Sequence, residues 1–553
     1  RSGEIITFAQ PVREYTIASL ATLETVANRR EALWANFADY RQSGVDMAGN
    51  DGPAGWVVPA QTDQGAADRM ARLVAEHGSD VYQTRAAIEA CGLELGVGSY
   101  IIPGDQPSHR QLRMLLDPQI DMDDEFLVEQ ERLRARGEPD QIYDVTGWSL
   151  PIMFNVAIEP CRRVPSVSGL ARVDPNQPAP GQMVQADATL AYLAPGGSSA
   201  SLRLMAAALR EGLKVDRIEV PLTLNGEDYP SGSLVFQKAD NPDDLADTLA
   251  ALVNETGATV SGTDTSWTLN GPNFGSMDVV RLHAPRVALA WDRPTDIYSP
   301  GAVRFVLERQ FGYPVTVVRT SVLRSADLNR YDVVVLPNAS ARFGGGYDAF
   351  LGTAGAANLR SWVQSGGTLV TLAGGTVWAA RPDVNLLASR LEHAAIEQDA
   401  APIDSDEARV DGLVLESMDE LSDRLRAGDR SPDSVSGVLV NTEIDTEHWL
   451  AAGVSETVPA LVRGNRIFTP PNMDRVDVVA RYASSDELLA SGYLWEENRL
   501  QLAFKPYLMT QRQGRGLVVS FSEDPAVRGY LEGLNGLLVN AVLVAPSYSF
   551  KLR

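Results

Sequence analysis

A multi-domain α/β protein is what this sequence predicts, and three observations predict it. The chain has 553 residues, more than one hydrophobic core serves, so roughly three or four domains are expected. Short apolar runs punctuated by glycine and proline alternate with amphipathic stretches of helical period. Two of those runs, Tyr331-Asp-Val-Val-Val-Leu-Pro337 and Thr368 to Leu372, are rich in Val and Leu, the composition of parallel strands covered on both faces.

Taken in order, Val12 to Tyr40 reads as one helix, because Leu20, Leu23, Val26, Leu33, Trp34, Phe37 and Tyr40 recur at three- and four-residue steps. A lone helix of that length needs a surface to cover. Gln42 to Gly55 is a linker rich in Gly, Asp and Asn. Then come a strand at Gly55 to Pro59, a helix over Gln64 to Glu76, a strand near Asp80 to Gln83, a strand at Gly98 to Ile102 and a helix over Ser108 to Leu116.

The same order returns further on. Thr189 to Pro195, a helix over Ala200 to Arg210, Gly212-Leu-Lys-Val215, Gly232-Ser-Leu-Val-Phe236 and a helix over Pro242 to Val253 repeat its punctuation. Gly78-Ser-Asp-Val81 matches the Gly212 block, and Gly98-Ser-Tyr-Ile-Ile102 matches the Gly232 block. Two related α/β lobes are therefore expected, separated by a Pro-, Ser- and Gly-rich link over 164–184.

A third unit opens at Arg286. Val287 to Asp292 is a strand, Ala302 to Gln310 a helix, Val315 to Arg319 a strand, and Tyr331 to Pro337 another. Asn358 to Trp378 then reads as helix, glycine stop, buried strand and tight glycine turn. Asp404 to Val476 reads as irregular, and Gly516 to Phe521 followed by a helix over Pro525 to Val544 closes the unit. Open α/β sheets bind ligands where such strands end. The candidate ligand-binding residues are thus Gly374, Gly375 and Thr376 in the turn, with Asp292 and Asp296 after the first strand.

Composition excludes several function classes. The formal charge is −24, and of 48 basic residues only Lys214, Lys238, Lys505 and Lys551 are lysine, so a phosphate backbone would meet net repulsion and nucleic acid is not an expected partner. The longest apolar runs, such as Gly536 to Ala545, fall short of a bilayer span. Cys91 and Cys161 are the only cysteines, which excludes a cysteine zinc finger and leaves open one disulfide or two buried thiols. The five histidines, at 77, 109, 283, 393 and 448, share no zinc-ligand spacing and are expected to be solvated or capping residues. Neither a Gly-x-Ser-x-Gly elbow nor a phosphate loop occurs, and Gly344-Gly-Gly-Tyr347 is expected to be a loop.

Three blocks carry a resemblance. Tyr143-Asp-Val-Thr-Gly-Trp-Ser-Leu-Pro151, the segment Asn358 to Gly374, and Asp524-Pro-Ala-Val-Arg-Gly-Tyr-Leu-Glu-Gly-Leu-Asn-Gly-Leu-Leu-Val-Asn540 together resemble the non-catalytic C-terminal region of large bacterial M14-type zinc carboxypeptidases. The third unit is similar to class I glutamine amidotransferases, which have a flavodoxin-like parallel sheet. That family places Gly-x-Cys-x-Gly after the corresponding strand and a later His-x-Glu. Here stand Ala373-Gly-Gly-Thr-Val377 and no such His, and a Thr376 hydroxyl without a paired base is a poor nucleophile.

The resemblance implies a helical segment over 1–49 that ends or links an upstream peptidase domain, lobes over 50–163 and 185–285, and an amidotransferase-like domain over 286–553. It implies a secreted or periplasmic accessory region with no cofactor of its own, the catalytic zinc lying in the peptidase domain and a peptide as substrate. The start at Arg1, with no initiator Met and no leader, is expected to be a processed end. Two other readings stand beside this one: an independent amidohydrolase or glycan hydrolase using carboxylates, and a stand-alone sugar- or peptide-binding module.

Overall fold

The computed structural model describes residues 7–119, 122–136, 138–339, 345–395 and 431–549. Its chain divides into two compact units, one of residues 1–59, 73–114 and 158–175, the other of 60–72, 115–157 and 176–553.

In the first unit the long helix α1 runs over Ala9–Met47 and buries only Gly44. The sheet that follows holds β1 (Gly55–Val58), β2 (Tyr82–Gln83), β5 (Tyr100–Pro103), β6 (Glu159–Cys161) and β7 (Ala171–Arg172), in the order β6-β1-β5-β2-β7. A separate hairpin pairs β3 (Ile88–Ala90) with β4 (Leu93–Leu95). All these pairings are antiparallel. Val57, Leu95, Ile101 and Cys161 form the core of this small sheet, and a disulfide joins Cys91 to Cys161. That settles the alternative left by the cysteine count.

Helix α2 (Gln64–Glu76) begins in the second unit, and α3 (His109–Leu116) begins in the first. Helices α4 (Asp124–Ala135) and α5 (Leu150–Phe154) follow in the second.

The lobe within the second unit repeats the five strands of the first sheet and adds a sixth. Its members are β8 (Gln182–Val184), β9 (Ala191–Ala194), β10 (Asp216–Ile218), β13 (Leu234–Gln237), β14 (Thr259–Thr263) and β15 (Val279–Arg281), in the order β15-β10-β13-β9-β14-β8. The added strand is β8, parallel to β14. Helix α6 (Ser199–Arg210) lies between β9 and β10, and α7 (Leu245–Thr256) between β13 and β14. The hairpin returns as β11 (Leu222–Leu224) and β12 (Glu227–Tyr229). Register agrees as well: Gly55 faces Pro103 as Ala191 faces Gln237.

The loop bonds repeat too. Thr84 N–H donates to Ser99 O at 2.9 Å and Gly98 N–H to Thr84 O at 3.0 Å, while Ile218 N–H donates to Ser233 O and Gly232 N–H to Ile218 O, both at 2.8 Å. Gly78 and Gly212 have φ of 83° and 80°, Gly98 and Gly232 of 86° and 88°, a left-handed conformation that makes glycine legible in sequence.

The remaining domain is built on β16 (Val287–Trp291), β17 (Thr316–Arg319), β18 (Val333–Leu336), β19 (Thr368–Leu372) and β25 (Gly516–Phe521). They lie parallel in the order β17-β16-β18-β19-β25. Numbered along the chain this is 2-1-3-4-5, the flavodoxin-like doubly wound order. Helices α8 (Tyr298–Arg304), α9 (Thr320–Leu323), α10 (Gly346–Gln364) and α11 (Gly374–Ala379) are threaded between the strands. Leu359, Trp362 and Val363 of α10 join Leu369 and Val518 of the sheet in one core.

Several expectations need correction. The sheet is not parallel throughout, because β20 (Val435–Ile444), β21 (Thr457–Gly464), β22 (Asp477–Tyr482) and β24 (Pro506–Gln513) extend it antiparallel beyond β25, with β23 (Leu489–Ser491) beside β20. The described part of the stretch read as irregular therefore holds the regular strands β20 and β21, and residues 404–430 of it lie outside the described residues. A bulge between Val435 and Val438 breaks the alternation that would have shown β20. The closing helix begins near Glu532 rather than Pro525. Of the glycine-rich run, Gly344 lies outside the described residues, while Gly345 caps α10 and Gly346 begins it. The predicted helix at Asn358 is the second half of α10, which Gly352 interrupts with φ 56° and ψ −168°.

Candidate functional site

The carboxyl ends of β16, β18, β19 and β25 carry the candidate site. The turn from β19 into α11 has its apex at Ala373, with φ 46° and ψ −107°, a conformation that strains any residue bearing a Cβ. It is the sharp strand-to-helix turn that displays a nucleophile in hydrolases. Here the apex side chain is a methyl group, and it is fully buried.

The two glycines that follow were expected to make this turn through positive φ, and they do not. Gly375 is required by close approach instead, since a Cβ there would stand 2.4 Å from Leu336 O. Gly374 N–H donates to Asn338 Oδ1 at 3.0 Å and so is engaged within the protein. Thr376 is wholly buried, and its hydroxyl donates to Phe521 O at 2.6 Å, 2.9 Å from Thr371 Oγ1. Its work is to tie α11 to the end of β25.

Asn338 organises the edge. Its carbonyl accepts from Asp296 N–H at 2.8 Å, and its own N–H donates to Ser299 Oγ at 2.9 Å. The Ser299 hydroxyl in turn donates to Asp524 Oδ2, whose other oxygen accepts from Ala526 N–H at 2.9 Å. Four strand ends are thus linked by one network. It brings Asp296 and Gly374 to the same residue, while Asp292 lies apart, exposed, with φ 74°.

Asp292 lines an open cavity of about 520 Å³ with Trp291, Arg293, Thr295 and Arg319, at the ends of β16 and β17. Its Oδ1 accepts from the N–H of Arg293 at 2.8 Å.

Sequence reasoning missed the carboxylates behind this edge. Glu523 and Asp524 follow β25 directly and are almost fully buried. Burial pushes the Glu523 carboxyl up to about 7 although Arg466 Nη2 donates to it at 2.5 Å. Burial likewise pushes Asp524 up to about 6, against the Ser299 and Ala526 hydrogen bonds. Glu523 Oε1, Arg466 Nε and the Tyr507 hydroxyl lack a hydrogen-bond partner among the described residues. The available signal was Ser522-Glu523-Asp524, polar residues set straight after a largely apolar strand on the ligand-bearing edge.

Such carboxyls can hold protons near neutrality, yet they are sealed from solvent and no nucleophile stands at the apex. Among the described residues no three His, Cys, Asp or Glu side chains come together to hold a metal ion. Of the histidines, 77, 283 and 393 are exposed and His448 caps a short helix through its Nδ1. His109 departs from expectation: it is buried beside Trp56, with Nδ1 2.9 Å from Gly104 O.

No family model matches the chain, and no curated protein does. Similar solved structures include a ThuA-like protein from Parabacteroides merdae, 13% identical, covering 48% of this chain and 91% of its own with a TM-score of 0.31. PurLQS from Thermotoga maritima is 11% identical over 46% of this chain and 97% of its own, with a TM-score of 0.27. An exo-β-1,4-mannosidase from an Opitutaceae bacterium is 13% identical over 47% of this chain and 36% of its own, at 0.25. At these scores the fold rests on the strand order itself.

Proposed function

We propose that this chain is a non-catalytic accessory region of an exported bacterial M14-type zinc carboxypeptidase, with an amidotransferase-like domain that has lost its nucleophile. The observation that carries the accessory role is α1. This helix of 39 residues leaves Leu20, Leu23, Trp34 and Phe37 between 53% and 70% exposed, an apolar stripe that calls for a covering partner. In this reading the peptidase domain covers it and supplies the zinc site.

The methyl group at the Ala373 apex supports the absence of acyl chemistry at the elbow. The Cys91–Cys161 disulfide supports an oxidising, extracytoplasmic compartment. Two blocks of the resemblance also meet in the fold, for Asp144 pairs with Arg528 and the Trp148 ring packs on Tyr530.

The reading frame that encodes this chain, together with hydrolase assays, tests the proposal. We expect a His-x-x-Glu domain in the same frame, and no turnover of dipeptides, glutamine or nitrophenyl glycosides by this chain alone. Turnover by the chain alone that is lost in Asp292→Asn or Glu523→Gln protein would replace it with the carboxylate hydrolase reading.

A further inference from the structure

A second cavity, of about 580 Å³, lies in the second unit at the first turns of α2 and α6, among residues other than those of the carboxyl edge. Four arginines line it: Arg69, Arg72, Arg203 and Arg309. In a chain of charge −24 that concentration calls for a cause.

Two of the four are neutralised within the protein. Arg69 donates to Glu532 at 2.5 Å and Arg72 to Asp68 at 2.8 Å. Arg203 is different. Its Nε donates to Thr256 O at 3.3 Å, and among the described residues no carboxylate reaches its guanidinium within the 4.0 Å of an ion pair. It is half-buried, and burial, the largest cause, outweighs the attraction of Asp63 and Glu532 and, with lesser repulsion from Arg69 and Arg72, holds its pKa below the usual arginine value. Neither Nη has a hydrogen-bond or ion-pair partner among the described residues, and Arg203 lines the cavity.

The surroundings preserve that arrangement. A Cβ on Gly65 would stand 3.2 Å from Arg203 Nη2 and 2.7 Å from Ser199 Oγ, so glycine keeps room for the guanidinium head. The Ser201 side chain also lines the cavity and makes no hydrogen bond among the described residues.

We propose that this cavity binds a small molecule through a carboxylate, with Arg203 as its bidentate anchor and the Ser201 hydroxyl as a second donor. Arginine's planar fork matches the two oxygens of a carboxylate. Arg203 is the half-buried unpaired guanidinium and Arg309 an exposed one, so a single carboxylate adds no excess negative charge beside Asp68 and Glu255 of the lining. The volume suits a ligand rather than an ion alone. A carboxylate of this kind is shared by peptide C termini and by sugar acids.

Calorimetric titration and thermal shift of the whole chain test the site with five probes: N-acetyl-dialanine and its C-terminal amide, glucuronate and its methyl ester, and inorganic phosphate. We expect at least one free acid to bind and raise the melting temperature, with its amide or ester roughly ten-fold weaker or worse. Which acid binds assigns the source. Arg203→Gln is expected to weaken the acid by about thirty-fold or more, Arg203→Lys by about ten-fold, and Ser201→Ala by a few-fold. If Arg203→Gln does not fold, the Lys and Ser201→Ala variants decide. Equal binding of acid and amide, tighter binding of phosphate than of either acid, no binding by either acid, or unchanged affinity in the folded variants would each overturn the proposal.

Discussion

Asp144 and Arg528, 384 residues apart in sequence, are joined by Arg528 Nη2 donating to both carboxylate oxygens at 2.9 and 3.0 Å. The same guanidinium lies 5.5 Å from the centre of the Trp148 ring, which packs 5.7 Å from Tyr530. The segment before α5 is thereby clasped to the loop after β25. Both charged side chains are about one-third exposed, so water screens the pair. Asp144→Asn should cost no more than about 1 kcal/mol, whereas Trp148→Ala should cost roughly 1–2 kcal/mol through lost packing and cation–π contact. Urea unfolding of both variants measures this, and an equal or larger cost for Asp144→Asn would make the ion pair the principal clasp.

The buried acids behind the carboxyl edge predict a pH dependence. The Glu523 carboxyl rises from 4.5 to about 7 on folding, and Asp524 from 3.8 to about 6, with burial the first cause in both. A raised acid pKa means that the folded protein keeps protons the unfolded chain has released. The stability these groups contribute is therefore full below about pH 4 and is lost as pH climbs through 6 and 7. The melting temperature should fall between pH 5 and 8, and Glu523→Gln should flatten that decline. A rise over the same range would reverse the sign.

Substitutions at the elbow should act in opposite directions. Ala373→Gly relieves a conformation that penalises Cβ and should stabilise the domain by about 1 kcal/mol. Gly375→Ala places a methyl group 2.4 Å from a backbone carbonyl and should destabilise it by roughly 1–3 kcal/mol. Thr376→Ala should weaken the fold by about 1–2 kcal/mol through the lost hydroxyl bond to Phe521 O, which keeps the Ala373 N–H at 3.0 Å, and leave any peptidase turnover of the intact protein within a few-fold of wild type. Thermal unfolding with turnover assays separates the three. A hundred-fold loss of turnover in folded Thr376→Ala protein would make the elbow an active site.

The disulfide should matter to the first unit alone. Its half-cystines lie 70 residues apart, in a sheet whose apolar cluster is small. Cys161→Ser should cost that unit roughly 2–4 kcal/mol. Differential scanning calorimetry with and without reductant should show one transition shifted and the other unmoved.

What could be read from the sequence followed physical necessity. Gly78, Gly98, Gly212 and Gly232 betrayed the duplicated lobes because left-handed backbone restricts the choice of residue. The Val- and Leu-rich strands betrayed the parallel sheet because both its faces are covered. The hairpins β3–β4 and β11–β12 escaped notice, since strands of three residues show no period and the turn Cys91-Gly92 does not look like its counterpart Asn225-Gly226, although their φ values of 56° and 80° match 55° and 84°. At the candidate site the turn was located, but it was placed on Gly374 and Gly375 rather than on Ala373. A strained Ala373 looks like any alanine in sequence. Asn338, Ser299, Glu523 and Asp524 converge from three separate segments, and no local pattern announces such a meeting.

Strand β25 pairs in parallel with β19 on one side and antiparallel with β24 on the other. It is the seam between a doubly wound half and a meandering half of one continuous sheet, so neither half can open at that border without stripping β25 of a full row of amide bonds. Leu517, Val518, Val519 and Phe521 are all buried at this seam. Their amides belong with the slowest of the molecule to exchange with solvent, and the two halves are obliged to melt as a single body.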